Sequence, residues 1–381
     1  MGKKIVILGG GAGGLVVANK LRKALTRDNE IILIDKKTHH LFAPSLLWLM
    51  VGWRKVEQIQ KPLSILKGKG INFINTGVDS IDFENRTVLT AGGGVQFDYL
   101  VIALGAETYP EKIPGFSKAA FNLYDSSGAG KIRDAIKTFD NGKLVVLVAS
   151  APYKCPAAPS ETALLLSAYF AERGKNVEIE LVSPEPMPMG VAGPEVGKMV
   201  VSMLRSGGTS YKPGHRVEKI DPDKKEIAFQ DGETISYDLL IGIPPHGVPP
   251  VLKDSPILGG SGWVKVNRGT LETDIENVYA IGDVTGIPLK VGKPLPKAGV
   301  FAHFQGDVVA SRIAAKINGK PAKVEFNGKG YCFIELGDGR AGYASGNFYA
   351  EPKPVINLKK PSRLWHWGKV LFEKWWMWNW F

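Results

Sequence analysis

The chain has 381 residues, 44% hydrophobic and 22% charged, which is enough for two or three globular domains with their own cores. Its 48 basic and 37 acidic residues give a net charge of +11, which suggests an anionic partner such as a phosphate group, an acidic lipid or an anionic substrate. No nucleic-acid-binding motif accompanies this charge, so nucleic acid is not expected as a partner. Two cysteines are too few for a disulfide framework, and we expect neither a secretory signal peptide nor a membrane-spanning segment.

A glycine-rich turn follows the first apolar run of the chain. The run is KIVIL at residues 4–8, and the next six residues are GGGAGG. The G-x-G-x-x-G spacing is met at Gly9, Gly11 and Gly14. A helix is predicted over residues 15–25, and a second strand over residues 30–34 ends at Asp35. Glycines let the backbone approach a pyrophosphate at a helix N-terminus, and Asp35 is placed to accept from a ribose hydroxyl, so a dinucleotide site is predicted.

Two later motifs indicate which dinucleotide binds. TDIENVYAIGD, at residues 273–283, resembles the second flavin signature of the glutathione-reductase-like flavoproteins, whose aspartate binds the ribityl chain of FAD. FDYLVIALGA, at residues 97–106, resembles the hinge that leaves the FAD domain in that superfamily. Lys297 either places positive charge near the flavin or is an exposed lysine. The resemblance implies an FAD site formed by Gly9, Gly11, Ala12, Gly14, Asp35, Lys36, Ser45, Val78, Ala103, Gly105, Gly282, Asp283, Lys297, Ala298 and Gly299.

The sequence repeats internally at an offset of 139 residues. VDSIDFENRTVLTAGGGVQFDYLVIAL at residues 78–104 parallels VEKIDPDKKEIAFQDGETISYDLLIGI at residues 217–243, and the first strand parallels residues 144–147. The three motif glycines then fall on Val148, Ser150 and Tyr153, and the second strand of this unit ends in Ser183 rather than an acid. The second unit therefore lacks what a nicotinamide dinucleotide needs, and no NADH site is expected there.

The loop that has lost its glycines carries Cys155, in KCPAAPSE just before a helix predicted over residues 161–171. A position beside Lys154 near a helix N-terminus predicts a lowered thiol pKa. Glu161 either moves protons or is a first-turn carboxylate favoured by the helix dipole. Cys332 lies in GYCFIELGDGRA, a predicted hairpin with Gly-Asp-Gly at its turn. The ordinary alternative for each cysteine is a small buried apolar residue.

Four motifs carry a more specific resemblance: KCPAAPSE, IPPH at residues 243–246, PKAGVFAHFQG at residues 296–306, and YCFIELGDGR at residues 331–340. Together the chain resembles the sulfide:quinone oxidoreductases and the flavoprotein subunit of flavocytochrome sulfide dehydrogenase over essentially its whole length. The resemblance implies an α/β fold with two interleaved Rossmann-like dinucleotide-binding units and a C-terminal membrane-associating region. Residues 1–110 and 253–320 would bind FAD, residues 111–252 would form the second unit, and residues 321–381 the C-terminal region.

The same resemblance implies an activity. Hydrogen sulfide would be oxidised to sulfur or polysulfide by a redox-active disulfide between Cys155 and Cys332, with Glu161 as a third catalytic residue. Electrons would pass through FAD to a membrane quinone, for which Tyr331 and Phe333 are candidate stacking residues. Family members attach FAD, or carry a third thiol, at positions where this chain has no cysteine, so FAD is expected to be noncovalent. The histidines show no ligand spacing, and no metal is expected.

Three other functions remain open at this point. The first is the flavoprotein subunit of a sulfide:cytochrome c dehydrogenase, which the expected lack of a signal peptide and of an attachment cysteine disfavours. The second is a type II NADH:quinone dehydrogenase, which the glycine-free second unit disfavours. The third is a flavin-bound redox sensor with the disulfide as its switch.

The last twenty residues, SRLWHWGKVLFEKWWMWNWF, hold six of the nine tryptophans. As a helix, one face is polar, with Ser362, His366, Lys369 and Glu373. The other face is apolar, with Leu364, Trp367, Leu371, Trp375 and Trp378. With the basic residues Lys353, Lys359, Lys360 and Arg363 nearby, this pattern predicts a helix in the membrane interface of a peripheral protein, on the cytoplasmic side. The alternative is a helix that docks on its own chain or on a second protomer of a homo-oligomer.

Overall fold

The computed structural model describes residues 2–381. The first stretch of chain contains β1 (Lys4–Leu8), α1 (Ala12–Ala24), β2 (Glu30–Asp35), β3 (His39–Leu41), α2 (Leu46–Met50), β4 (Gln60–Pro62), β5 (Asn72–Asn75), β6 (Ser80–Asp82), β7 (Thr87–Thr90), β8 (Gly93–Gln96), β9 (Tyr99–Ile102) and β10 (Glu107–Thr108). The second contains α3 (Phe116–Ala119), β11 (Phe121–Asn122), α4 (Ser126–Thr138), β12 (Asn141–Val148), α5 (Ala158–Ala171), β13 (Asn176–Ser183), α6 (Pro194–Ser206), β14 (Thr209–Pro213), β15 (Val217–Asp221), β16 (Glu226–Phe229), β17 (Thr234–Ser236), β18 (Leu239–Ile243) and β19 (His246–Gly247). The third contains β20 (Val278–Ala280), α7 (Gly299–Ile317), β21 (Lys329–Glu335), β22 (Ala341–Asn347), β23 (Val355–Ser362) and α8 (Arg363–Asn379).

The first parallel sheet has the strand order β20-β9-β1-β2-β5, so a strand from late in the chain completes a sheet that the N-terminal residues begin. Residues 5–8 of β1 are apolar and fully buried, as a strand covered on both faces requires. Helices α1 and α7 approach closely at two glycines: a Cβ on Gly306 would lie 2.9 Å from the carbonyl oxygen of Gly13. This contact fixes α7 beside the glycine-rich turn.

The second parallel sheet has the order β11-β18-β12-β13-β14. Its inner order, β18-β12-β13-β14, repeats the order β9-β1-β2-β5 of the first sheet. A three-stranded antiparallel sheet precedes the last parallel strand in each unit, β6-β7-β8 in the first and β15-β16-β17 in the second. The predicted α/β fold and the internal repeat are confirmed.

The predicted local elements are present, with shifted boundaries. Helix α1 begins at Ala12 rather than residue 15, inside the glycine motif, and α5 begins at Ala158 rather than residue 161. The earlier start of α5 is explained by Pro159, whose fixed φ suits the first helical turn. The predicted hairpin is β21–β22, whose strands pair antiparallel around residues 337–339.

The C-terminal helix α8 docks on its own chain through its polar face. Lys369 and Glu373 are buried, at 5% and 0% exposure. The opposite face carries large exposed side chains: Leu364 (70%), Trp367 (60%), Leu371 (66%), Trp375 (42%) and Trp378 (78%). Intramolecular docking and an outward apolar face therefore coexist. Within residues 2–381, α8 and the other helices are each too short or too polar to cross a bilayer.

Candidate active site

The glycine-rich turn lies at the carboxyl end of β1. A Cβ on Gly14 would collide with the carbonyl oxygen of Gly9, so the third glycine is required for the helix to leave the turn. A Cβ on Gly11 would meet only open space, which leaves the backbone accessible. The Asp35 carboxylate accepts from the backbone N–H of Gly10 at 2.6 Å and from that of Lys37 at 2.8 Å. Asp35 thus holds the turn from the end of the neighbouring strand.

Asp283, after β20, has a buried carboxylate with one unused oxygen. Its Oδ1 makes no hydrogen bond to the residues that the structure describes, and burial raises the pKa of the Asp283 carboxyl. The backbone N–H of Gly282 donates to Gln305 Oε1 at 2.7 Å, which fixes this turn against α7. A buried acceptor without a donor fits a hydroxyl-bearing ligand such as the ribityl chain of FAD.

Lys297 is buried, so it is not an exposed lysine. Its ammonium donates to the carbonyl oxygens of Asp283 and Thr285, at 2.7 and 3.2 Å, and lies 3.2 Å from the ring centroid of Trp263. Burial lowers the pKa of Lys297 to about 8. The side chain therefore brings a positive charge to the turn that holds Asp283.

The other predicted cofactor residues divide into two groups. Some lie at the carboxyl edge of the first sheet: Ala103 and Gly105 follow β9, and a Cβ on Gly299, at the start of α7, would lie 3.9 Å from the Cβ of Ala12. Ala298 caps α7 there, and a Cβ on Gly105 would meet open space. Three others make different contacts: Lys36 Nζ lies 3.5 Å from Glu107, Val78 packs among core residues, and Ser45 donates to Glu373 Oε1 of α8 at 2.8 Å.

The two cysteines, which the structure contains as free thiols, line one cavity of about 580 Å³. Lys297, Ala298 and Tyr331 line the same cavity, whereas Phe333 does not. Cys155 has a φ of +50°, unusual for a residue with a side chain, and its N–H donates to the carbonyl oxygen of Lys297 at 2.6 Å. The structure thus brings together cysteines from two distant parts of the chain, beside the start of α7.

The predicted low pKa of Cys155 is wrong. Burial, together with the nearby Glu161 carboxylate, raises the pKa of Cys155 to about 12, although the charge of Lys369 opposes this rise. Lys154 does not help in the expected way, because its ammonium donates to the carbonyl of Ala106 at 3.3 Å. Burial likewise raises the pKa of the Cys332 thiol. Desolvation therefore outweighs the helix N-terminus at this site.

Behind the cysteines lies a buried charge network that the sequence analysis missed. Glu161 Oε1 accepts from Lys369 Nζ of α8 at 2.7 Å and from the backbone N–H of Glu335 at 2.9 Å. The Glu335 carboxylate in turn lies 3.0 Å from His366 Nδ1. A third pair joins Glu373 to Arg54 at 2.8 Å. The helical spacing of the charged residues of α8 was visible in the sequence, but their distant partners were not.

The loop of the second unit is filled by protein side chains. Tyr153, at the position equivalent to Gly14, is buried and donates its hydroxyl to Glu185 Oε2 at 2.8 Å. Glu185 is also held by Tyr211, whose hydroxyl donates to its carbonyl oxygen at 2.9 Å. The space that a pyrophosphate would need beside β12 is thus partly occupied.

Residues 3–306 match the model of the pyridine nucleotide-disulphide oxidoreductases. The chain belongs to this family. The mouse mitochondrial protein named sulfide:quinone oxidoreductase is 27% identical over 92% of this chain and 79% of its own length. The crystal structure of the sulfide:quinone oxidoreductase from Aquifex aeolicus superposes with a TM-score of 0.89 at 27% identity, covering 99% of this chain and 91% of that one. A type II NADH:quinone oxidoreductase of Staphylococcus aureus is 28% identical over 84% of this chain and 83% of its own length.

This member of the pyridine nucleotide-disulphide oxidoreductase family is an FAD-binding oxidoreductase. The residues present fit the cofactor, because an accessible glycine turn, an unsatisfied buried carboxylate oxygen and a buried ammonium converge at the carboxyl edge of one sheet. Gly11 would face the pyrophosphate, and Asp283 would accept from the ribityl hydroxyls.

Proposed function

We propose that this flavoprotein oxidises hydrogen sulfide to sulfur or polysulfide, with Cys155 and Cys332 as a redox-active pair and a membrane quinone as electron acceptor. The observation that carries the proposal is that the two cysteines line one cavity beside Lys297 and the start of α7. The names of the mouse and Aquifex relatives support this pair of substrates. In this proposal residues 1–110 and 253–320 hold FAD, residues 111–252 contribute Cys155, and residues 321–381 contribute Cys332 and the lipid contact.

The chemistry of the oxidised pair is thiol–disulfide exchange. Hydrosulfide attacks one sulfur of the disulfide, forming a persulfide on that cysteine, breaking the sulfur–sulfur bond and releasing the other cysteine as a thiolate. A second hydrosulfide removes the outer sulfur as disulfide anion and a proton, leaving both cysteines reduced. Return to the disulfide releases two electrons, for which bound FAD supplies the acceptor, and quinone takes them with two protons as quinol.

The surroundings of the pair set the reactivity of the released thiolate. Because burial raises the pKa of Cys155 to about 12, its thiolate is more basic, and hence more nucleophilic, than a solvent-exposed one. The buried ammonium of Lys369 opposes this effect and keeps the thiolate accessible. Glu161, bonded to Lys369, is the group placed to exchange protons with the cavity.

The quinone would reach the protein from the lipid at α8. Tyr331 lies between the cavity and this helix, with its ring centroid 6.0 Å from that of Phe372 and 6.1 Å from that of Phe304. Phe333 packs 6.2 Å from Tyr331. In the proposal this aromatic cluster receives the quinone ring, and the exposed apolar face of α8 lies in the membrane interface.

One observation favours a second candidate, NADH oxidation with quinone: the similarity to the Staphylococcus aureus enzyme. Against it, Tyr153 occupies the place of a motif glycine and is bonded to Glu185. The sulfide:cytochrome and redox-sensor alternatives differ from the proposal in their electron acceptor, since the first would need a cytochrome and the second no acceptor for repeated turnover.

The test is anaerobic reduction of the purified holoenzyme, followed by the visible flavin band, with sulfide and NADH added separately. Sulfide is expected to bleach the flavin rapidly, and a water-soluble quinone to restore it through many turnovers. Cys155→Ser and Cys332→Ser should abolish bleaching, whereas Ser345→Ala, in the same cavity lining, should not. Bleaching by NADH alone, or sulfide bleaching that survives both cysteine substitutions, would overturn the proposal.

A further inference from the structure

A buried histidine joins the glycine-rich turn to the C-terminal helix. His40, on β3, is 3% exposed. Its Nδ1 lies 2.9 Å from the carbonyl oxygen of Gly10, and its Nε2 lies 3.0 Å from the indole Nε1 of Trp376 on α8. The turn at the predicted pyrophosphate site and a helix from the other end of the chain are therefore linked through one side chain.

The chemistry of the three groups fixes the direction of both hydrogen bonds. An indole N–H can only donate, so Nε2 of His40 must be the acceptor. A carbonyl oxygen can only accept, so Nδ1 must carry the proton and donate to Gly10. The ring is thus neutral and in one tautomer, in agreement with burial, which lowers the pKa of His40 to about 4.

This link sets the orientation of a backbone amide in the turn. The carbonyl of Gly10 and the N–H of Gly11 belong to one planar trans peptide, so they point in opposite directions. Holding the carbonyl towards His40 therefore directs the Gly11 N–H away from it. Asp35 holds the preceding N–H, that of Gly10, at 2.6 Å. Two side chains thus fix the peptides on either side of Gly10, next to the open space at Gly11.

Trp376 is itself fixed within the protein. It is 3% exposed, and its ring lies 5.9 Å from that of Phe42, which follows β3, and 5.4 Å from that of His303 on α7. The helix that bears it is further held by the Lys369–Glu161 and Glu373–Arg54 pairs. A displacement of α8 would therefore withdraw the indole donor from His40.

We propose that His40 and Trp376 are positioning residues for FAD: the docked α8 orients the Gly10–Gly11 peptide through them, so that docking of α8 and FAD binding strengthen each other. The coupling is reciprocal, because a helix that raises the affinity for FAD is itself held more firmly when FAD is bound. The proposal rests on FAD binding and not on the identity of the electron donor, so it stands or falls separately from sulfide oxidation.

The test measures FAD release from the detergent-solubilised holoenzyme after dilution, as free flavin in ultrafiltrates over time. His40→Asn shortens the side chain and removes the acceptor for Trp376, and Trp376→Phe removes the indole donor. Each variant is expected to release FAD about tenfold faster than the unsubstituted protein, which corresponds to about 1.4 kcal/mol. The matched controls are His39→Asn, on the same strand but exposed, and Trp365→Phe, on α8 but stacked on Tyr343 at 4.4 Å. Both controls should release FAD at the rate of the unsubstituted protein.

Two further measurements separate a link from independent structural damage. The double variant should release FAD no more than about twofold faster than the faster single variant, because both changes break one chain of contacts. Hydrogen exchange of the α8 amides should be faster in His40→Asn than in the unsubstituted protein, and excess FAD should slow it. Release at the control rate in His40→Asn, multiplied effects in the double variant, or α8 exchange that ignores FAD would each overturn the proposal. If Trp376→Phe does not fold, His40→Asn still decides it.

Discussion

The ion pair between α8 and α5 should be a large single contribution to the docking of the C-terminal helix. Lys369 Nζ lies 2.7 Å from Glu161 Oε1, and the two side chains are 6% and 3% exposed. Lys369→Met keeps most of the apolar stem but leaves the Glu161 carboxylate buried without its cation. Breaking a buried pair from one side costs about 3–5 kcal/mol. For a chain of 381 residues, with an unfolding entropy of about 2 cal/mol/K per residue, this predicts a melting temperature lower by about 4–6 °C.

The assay is thermal unfolding of the holoenzyme by circular dichroism, at one detergent and flavin concentration. Lys374→Met is the matched control on the same helix, because its ammonium lies 3.9 Å from Glu373 and its side chain is 60% exposed. An exposed pair contributes about 0–1 kcal/mol, so this control should lower the melting temperature by about 1 °C at most.

A second substitution distinguishes an unpaired charge from lost packing. Glu161→Gln removes the charge but keeps an oxygen that can accept from the backbone N–H of Glu335, as Glu161 does at 2.9 Å. The Lys369→Met/Glu161→Gln double variant should therefore be more stable than Lys369→Met alone. The reasoning is refuted if Lys369→Met melts like the Lys374→Met control, or if the two substitutions destabilise additively.

Three other predictions follow from the same geometry. Because the pKa of His40 is about 4 in the folded protein and 6.5 ordinarily, the unfolded chain binds its proton more tightly between these values; the stability is therefore intact above about pH 6.5 and falls by about 3 kcal/mol towards pH 4. Denaturant midpoints across this range should show the fall, and His40→Asn should flatten it; parallel profiles for the two proteins would contradict the buried neutral ring. With its pKa near 12 rather than 9, reduced Cys155 should be alkylated by iodoacetamide at pH 8 about a thousandfold more slowly than in the denatured protein, as measured by mass spectrometry; similar rates would show that the thiol is not desolvated. Replacing Leu371 and Trp378 of the exposed α8 face by serine should weaken sedimentation with anionic vesicles at least about tenfold, whereas Leu89→Ser, an exposed leucine on β7, should not; equal binding of both would locate the lipid contact elsewhere.

The sequence predicted those features whose determinants are contiguous in the chain. The turn after β1 could be identified because the strand, the glycines, the helix and Asp35 follow one another within 35 residues. The second unit could be aligned to the first because its β-strand pattern survives the loss of the glycines. Placing Cys155 and Cys332 together required the family resemblance, since nothing local in the sequence links the loop after β12 to the β21–β22 hairpin.

The thiol pKa could not be predicted from neighbours in sequence. Lys154 and the start of α5 both suggested a stabilised thiolate, but the tertiary structure turns Lys154 towards Ala106 and buries the sulfur beside Glu161. His40 was similarly opaque, because its role depends on a hydrogen-bond acceptor at Gly10 and a donor at Trp376, 336 residues away. Electrostatic properties of a buried group depend on everything packed around it, and local motifs record only a small part of that environment.

The C-terminal helix makes the same point from the opposite direction. Its periodicity defines a polar and an apolar face, but the usual expectation that the apolar face packs inward is reversed here. The inward face is acceptable because the body of the protein supplies a partner for each charge: Glu161 for Lys369, Glu335 for His366, and Arg54 for Glu373. Since buried charges are tolerated only when paired, this arrangement specifies one docked position more strictly than an apolar seam would. It also leaves the tryptophan-rich face outward, where contact with lipid would remove apolar surface from water without competing with docking. A helix built this way can bind a membrane and still hold the cysteine cavity and the FAD turn from behind.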